Sequence, residues 1–171
     1  MVHITHNKHR LLELTIHIIC WGLFFGFPLF FTQDNSGSID WREFINHSGV
    51  SLSFFVIFYI NYLLFIPKVL FKEHTGQFIL LNILLILVVS IGLRYWHNII
   101  AFPPPAPRRP HLPPQYIFYI RDITSMIFTV GLSVAIRMSL RWSATELERR
   151  EAVKSRTEAE LKNLRNQLNP H

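Results

Sequence analysis

Four apolar stretches, 11–31, 50–71, 78–100 and 116–140, decide what this chain can become. The hydrocarbon core of a bilayer, about 30 Å thick, takes roughly 20 helical residues to cross. Each stretch has that length. In lipid the backbone must satisfy its own N–H and C=O groups, which leaves helices or a closed barrel. A barrel strand alternates apolar and polar residues, and the run FILLNILLILVV from Phe78 to Val89 does not. The expectation is an all-α membrane protein whose four spans form an antiparallel transmembrane bundle.

Composition agrees. Only 16% of the residues are charged, against about 25% in soluble domains. Thirteen of the 28 charged residues lie in the last 35 positions, and the last of the 15 phenylalanines is Phe128. A greasy block is thus joined to a charged segment. That division excludes one water-soluble globule and a disordered chain, and Cys20, the single cysteine, excludes a disulfide scaffold. The expected division is an N-terminus at 1–10, a four-span transmembrane domain at 11–140 and a cytoplasmic helix at 141–171. The first span is read as retained: its apolar run is too long for a signal peptide and ends without a small-residue cleavage pattern.

Lys and Arg near the span ends set the orientation. Lys8, Arg10, Lys68, Lys72 and the basic tail from Arg137 fall on one side. Arg42, Arg108 and Arg109 fall on the other, with Arg94 and Arg121 close to the interface. Both termini are therefore expected in the cytoplasm of a multi-pass inner-membrane protein. The net charge of +6 is met by topology and anionic headgroups, so membrane lipid is an expected partner and nucleic acid is not. The outer loops are short: 32–49, and 101–115, which holds seven of the ten prolines and should be a stiff, extended segment. If the chain senses something, such as an outer-side ligand or protein, it does so with its helices, with these short loops or through a partner.

Polar residues within spans are functional candidates, each with a plainer structural use. Glu13 and His17 lie one turn apart near the inner end of the first span, level with Arg137 and Arg141 of the fourth. A Glu13–Arg137 contact is expected to tie those spans. At the outer end the expected bridge is Arg94–Asp122. Asn61 and Asn82 fall deeper and are expected to hydrogen-bond across helices. Gly22 and Gly26, followed by Pro28, allow close packing and a kink. His3, His6, His9 and His17 are spaced along one stretch, but no cysteine or carboxylate completes a compact set, so no metal site is expected. His97 belongs to a Tyr95–Asn98 cluster that reads as an interfacial anchor. His47 and His111 lie in the outer loops.

After the fourth span, the tail has no glycine, and Pro170 is its one proline. Glu146 with Arg150 and Glu158 with Lys162 have the acid-before-base spacing of four that supports a helix. Leu140, Leu147, Lys154, Leu161 and Leu168 recur every seven residues, whereas the companion row Ser143, Arg150, Thr157 and Leu164 is poor until its end. The tail is read as a cytoplasmic coiled-coil signalling helix in a parallel homodimer, with a solvated single helix as the plainer reading.

The ending EAELKNLRNQLNPH resembles the phosphoacceptor box of a multi-span bacterial sensor histidine kinase family, the one partnered with response regulators of the LytTR type. Leu161, Leu164, Gln167, Asn169, Pro170 and His171 carry the match, and the Phe-Leu-Phe-Asn run that usually follows the histidine is missing. Tyr59, Asn61, Ile66, Pro67 and Lys68 also resemble that family's second span. The resemblance implies that His171 is the catalytic residue. It would take phosphate from ATP with Mg²⁺ and pass it to an aspartate of the regulator in a two-component system. No ATP-binding motif follows, so the sequence is expected to be the sensor and signalling region of a longer kinase, inactive alone. The alternatives are a small four-span transporter or membrane interaction module, and a metal or haem bundle using His17 and His97. A transporter wants a charge deep in its pathway; Glu13 lies near the span end, and Asn61 and Asn82 are uncharged.

Overall fold

In the computed structural model the described residues are 2–30, 32, 37–100 and 114–168. The proline loop at 101–113 and the residues Asn169, Pro170 and His171 lie outside them, as do the side chains of His3, His6, His9 and Leu168. The described residues contain no β-strand. They form α1 (Val2–Gly26), α2 (Trp41–Ile60), a short α3 (Ile66–Lys68), α4 (Thr75–Ile100) and α5 (Gln115–Leu168). Among the described residues, four helical segments are long and apolar enough to cross a membrane: Glu13–Phe30, Trp41–Lys72, Thr75–Ile100 and Tyr116–Gln167.

Local chemistry sets the breaks. The α-helical pattern of α1 ends at Gly26 and tightens into a 3₁₀ turn, Phe27–Phe30. Pro28 lies in that turn, without an N–H and with a ring that clashes with the preceding carbonyls. The second span begins at Trp41, nine residues before the apolar run at 50. Asp40 is its N-cap, accepting from Arg42 N at 3.0 Å and Glu43 N at 3.2 Å. A carboxylate there satisfies donors that the first turn leaves open. At the other end α2 widens into a π turn, Asn61–Phe65, before α3. Glu73 then takes a left-handed conformation, φ 66°, which turns the chain back into α4 within a few residues.

α2 is the central element and packs against α1, α4 and α5. Ile57, Leu93 and Met126, one from each of α2, α4 and α5, form the buried core, with Phe54, Val89 and Val130 against it. α1 meets α2 along an aromatic seam. Trp21 sits 4.9 Å from Phe55 and 5.8 Å from Phe58 between ring centroids, and His17 sits 5.5 Å from Tyr62. Outward faces of all four spans carry large apolar side chains, such as Leu23, Leu63, Val88 and Phe128. Exposed apolar side chains on helices of this length fit a membrane environment. Beyond Arg141, α5 continues alone, and every side chain described from Leu147 onward is exposed.

Candidate functional site

The end from which the tail emerges holds a polar cluster, and Pro67 is its origin. In the π turn the Ile66 N–H donates to Asn61 O, five residues back. In that register the next carbonyl, Tyr62 O, faces Pro67, which has no N–H to give. Arg137 of α5 supplies the donor instead: its Nε reaches Tyr62 O at 3.1 Å. The same guanidinium lies over the Tyr62 ring, 4.5 Å from its centroid. The Tyr62 hydroxyl in turn donates to Glu13 Oε1 of α1. One turn along α5, Arg141 stacks over Phe71 at 4.3 Å.

The expected Glu13–Arg137 ion pair is therefore replaced by a relay through Tyr62. The two charged groups do tie the first and last spans, but the tyrosine stands between them. His17 joins this layer through a 3.0 Å hydrogen bond between its Nδ1 and Tyr59 OH. What the cluster does mechanically is clear from its parts. It clamps α5, at the point where that helix leaves the bundle, to a carbonyl made available by a helix defect. π turns are frequent at functional sites.

Asn61 and Asn82 are buried as well, and here the expectation of cross-helix bonds fails. Asn61 Nδ2 donates to Ile57 O and Asn82 Nδ2 to Phe78 O, each at 3.0 Å and each within its own helix. Their Oδ1 atoms are buried without a hydrogen-bond partner. Ser133, fully buried, donates to Val130 O at 2.7 Å. A side chain four residues from a carbonyl on its own helix reaches it without crossing an interface, so back-bonding satisfies the donor first.

At the opposite end, near the interhelical loops, Arg42 seals the terminus of α4. Its Nε and Nη2 donate to Ile100 O at 3.1 and 3.0 Å, closing a carbonyl that the last turn of a helix leaves open. Trp96, read as part of an interfacial anchor, is turned inward: Nε1 donates to Ile45 O at 3.0 Å, and the indole fills the space a β-carbon on Gly49 would need. His47 Nε2 lies 3.8 Å from Glu43. The expected Arg94–Asp122 bridge does not form. Asp122 is engaged by its neighbour, Arg121, whose Nε and Nη2 donate to Oδ1 at 2.9 and 2.8 Å. Between α4 and α5 at this end opens a cavity of about 340 Å³.

Along the tail, Glu146 pairs with Arg150 at 3.0 Å as expected, whereas Glu158 faces Lys154 at 4.0 Å rather than Lys162. Leu147, Leu161 and Leu164 are exposed on a single chain. Among the described residues no three His, Cys, Asp or Glu side chains gather as a metal-ligand set. His171, the residue on which the kinase resemblance turns, lies outside the described residues.

Tyr62, Phe71, Ser133 and the Gly49–Trp96 contact were not singled out from the sequence. Pro67 inside a spanning helix was the available signal for Tyr62, because a proline there must leave a carbonyl free. No family model matches the chain, and neither a curated protein nor a solved structure matches it.

Proposed function

We propose that this chain is the membrane sensor and signalling-helix region of a bacterial two-component histidine kinase, with both termini in the cytoplasm. The observation that carries the reading is α5, one unbroken helix of 54 residues. At 1.5 Å per residue it spans about 80 Å. It begins at the interhelical loops, passes the bundle core at Met126, is clamped by Tyr62 at Arg137, and runs to Leu168. The described part of the phosphoacceptor-like box, residues 158–168, occupies its far end. A shift or rotation of α5 against α2 therefore arrives at the box without an intervening joint.

In this reading the exposed heptad positions Leu140, Leu147 and Leu161, continued in the sequence by Leu168, are the seam of a parallel homodimer. A weak start and a firmer end leave two packings only a few kcal/mol apart, which suits a switch. His171 is the phosphoacceptor. Its imidazole nitrogen attacks the γ-phosphoryl group of ATP held by a catalytic domain, ADP leaves, and the phosphoryl group passes to an aspartate of a response regulator. The experiment joins the ATP-binding half of a histidine kinase after His171 and follows label from ATP in membranes. Acid-labile, base-stable label on the parent, and none on His171→Gln, is the expected result. Equal label on both would remove His171 from the account.

A further inference from the structure

We infer that the cavity between α4 and α5, at the loop end, is a binding site for the headgroup and first methylenes of an anionic membrane lipid. This inference stands apart from the kinase reading and needs only that the helices span a bilayer.

The cavity has two chemical levels. α4 runs toward the loop end and α5 runs away from it, so Arg94 and Asp122 lie at the mouth, and Ser90 and Met126 lie one turn deeper. One turn is about 5.4 Å. The deep level is apolar: Met126 is fully buried, and Leu93 beside it belongs to the same core cluster. Its one polar group, the Ser90 hydroxyl, donates to Met126 Sδ at 3.6 Å, and a thioether is a weak acceptor. A slot with an apolar floor and a polar mouth matches a molecule built the same way.

Charge at the mouth selects the sign. Arg121 and Asp122 neutralise one another through two hydrogen bonds. Arg94 has no carboxylate within ion-pair distance among the described residues, so the mouth carries one uncompensated positive charge. An arginine near the end of a span can reach headgroups from any position by extending along the helix. What distinguishes Arg94 is that it borders a cavity whose other cation is already occupied. A phosphodiester with one negative charge complements it, and Arg presents paired N–H donors to phosphate oxygens. A lipid supplies both the phosphate and the chain for the floor, whereas a free anion would leave Leu93 and Met126 uncovered.

The test uses the chain reconstituted in phosphatidylcholine nanodiscs and titrated with short-chain phosphatidylglycerol. Parallel arms use short-chain phosphatidylcholine and glycerol phosphate. Saturable binding of one phosphatidylglycerol per chain is expected, and Arg94→Gln should weaken it about tenfold, the loss of a hydrogen bond to a charged group. Asp122→Asn provides the opposite sign: it frees Arg121 and should tighten binding severalfold, a gain that misfolding cannot produce. Equal affinity for the zwitterionic lipid, glycerol phosphate binding as tightly as the lipid, or an Asp122→Asn protein that binds no better would each overturn the assignment.

Discussion

Arg137 and Tyr62 show how one missing proton donor organises an end of this molecule. Because Pro67 cannot serve Tyr62 O, the guanidinium of another helix does, and its flat face also covers the tyrosine ring. The two side chains should differ sharply when removed. Tyr62→Phe loses the bond to Glu13 but keeps the carbonyl contact and the ring. It should cost about 1 kcal/mol or less, the range of interhelical hydrogen bonds in membranes. Arg137→Ala leaves a carbonyl unserved inside the bundle and should cost about 1–3 kcal/mol. Reversible unfolding in mixed micelles measures both; equal losses would mean that the guanidinium on α5 contributes no more than the hydroxyl bond to α1. Which polar residues mattered was partly legible in the sequence. Glu13, His17 and Arg137 share a depth, and that placed them together. That Tyr62 stands between them was not legible, because it depends on a π turn that shifts the register by one residue. The same limit explains Asp122: counting depth paired it with Arg94, while the adjacent Arg121 was nearer in the chain and prevailed.

At the level of the helices, the second span is the one whose details depart most from its apolar run. Its core is marked by hydropathy, but its first turns, from Trp41, carry Arg42 and Glu43 and are polar. The start was readable from Asp40 with Glu43 three residues on, a capping pattern that an apolar window overlooks. Its far end depends on Pro67 and the π turn together. If the missing N–H is what recruits Arg137, then Pro67→Ala should make Arg137 partly redundant. In a double-mutant cycle, the penalty of Arg137→Ala should shrink by about 0.5–3 kcal/mol in the Pro67→Ala background, the range for residues sharing one network. Strict additivity would show that the π turn and the arginine act separately. Asn61 and Asn82 belong to this scale too. Both were expected to join helices, and each bonds back to its own, since a carbonyl one turn away is always within reach.

For the whole molecule, the division into an apolar block and a charged tail was evident from where the charges and phenylalanines fall. The packing order was not. α2 occupies the centre, α1 is held to it by aromatic rings, and α5 connects the loop end to the tail. Hydropathy records length and location, and it carries no information about which face meets which neighbour. The proposed dimer adds the partner that the exposed heptad row calls for. Single cysteines at Leu147 and Leu161, in a Cys20→Ser background because Cys20 is exposed, should give covalent dimers in membranes under mild oxidation. A cysteine at Glu151, off both heptad rows, should give few. Equal yields at all three positions would contradict a defined seam.

In the proposed function, α5 carries the state of the spans to His171 by its phase about the helix axis. Insertions into the tail test this directly. In the chain joined to an ATP-binding half, a helical insertion of seven residues after Arg156 keeps the heptad seam in phase, and one of four residues displaces it. The initial rate of label transfer from ATP to His171 should stay within about twofold of the parent with seven residues and change at least fivefold with four, an expectation that follows from heptad phase. Rates that fall with insertion length alone, or that ignore both insertions, would contradict a phase-coupled signalling helix.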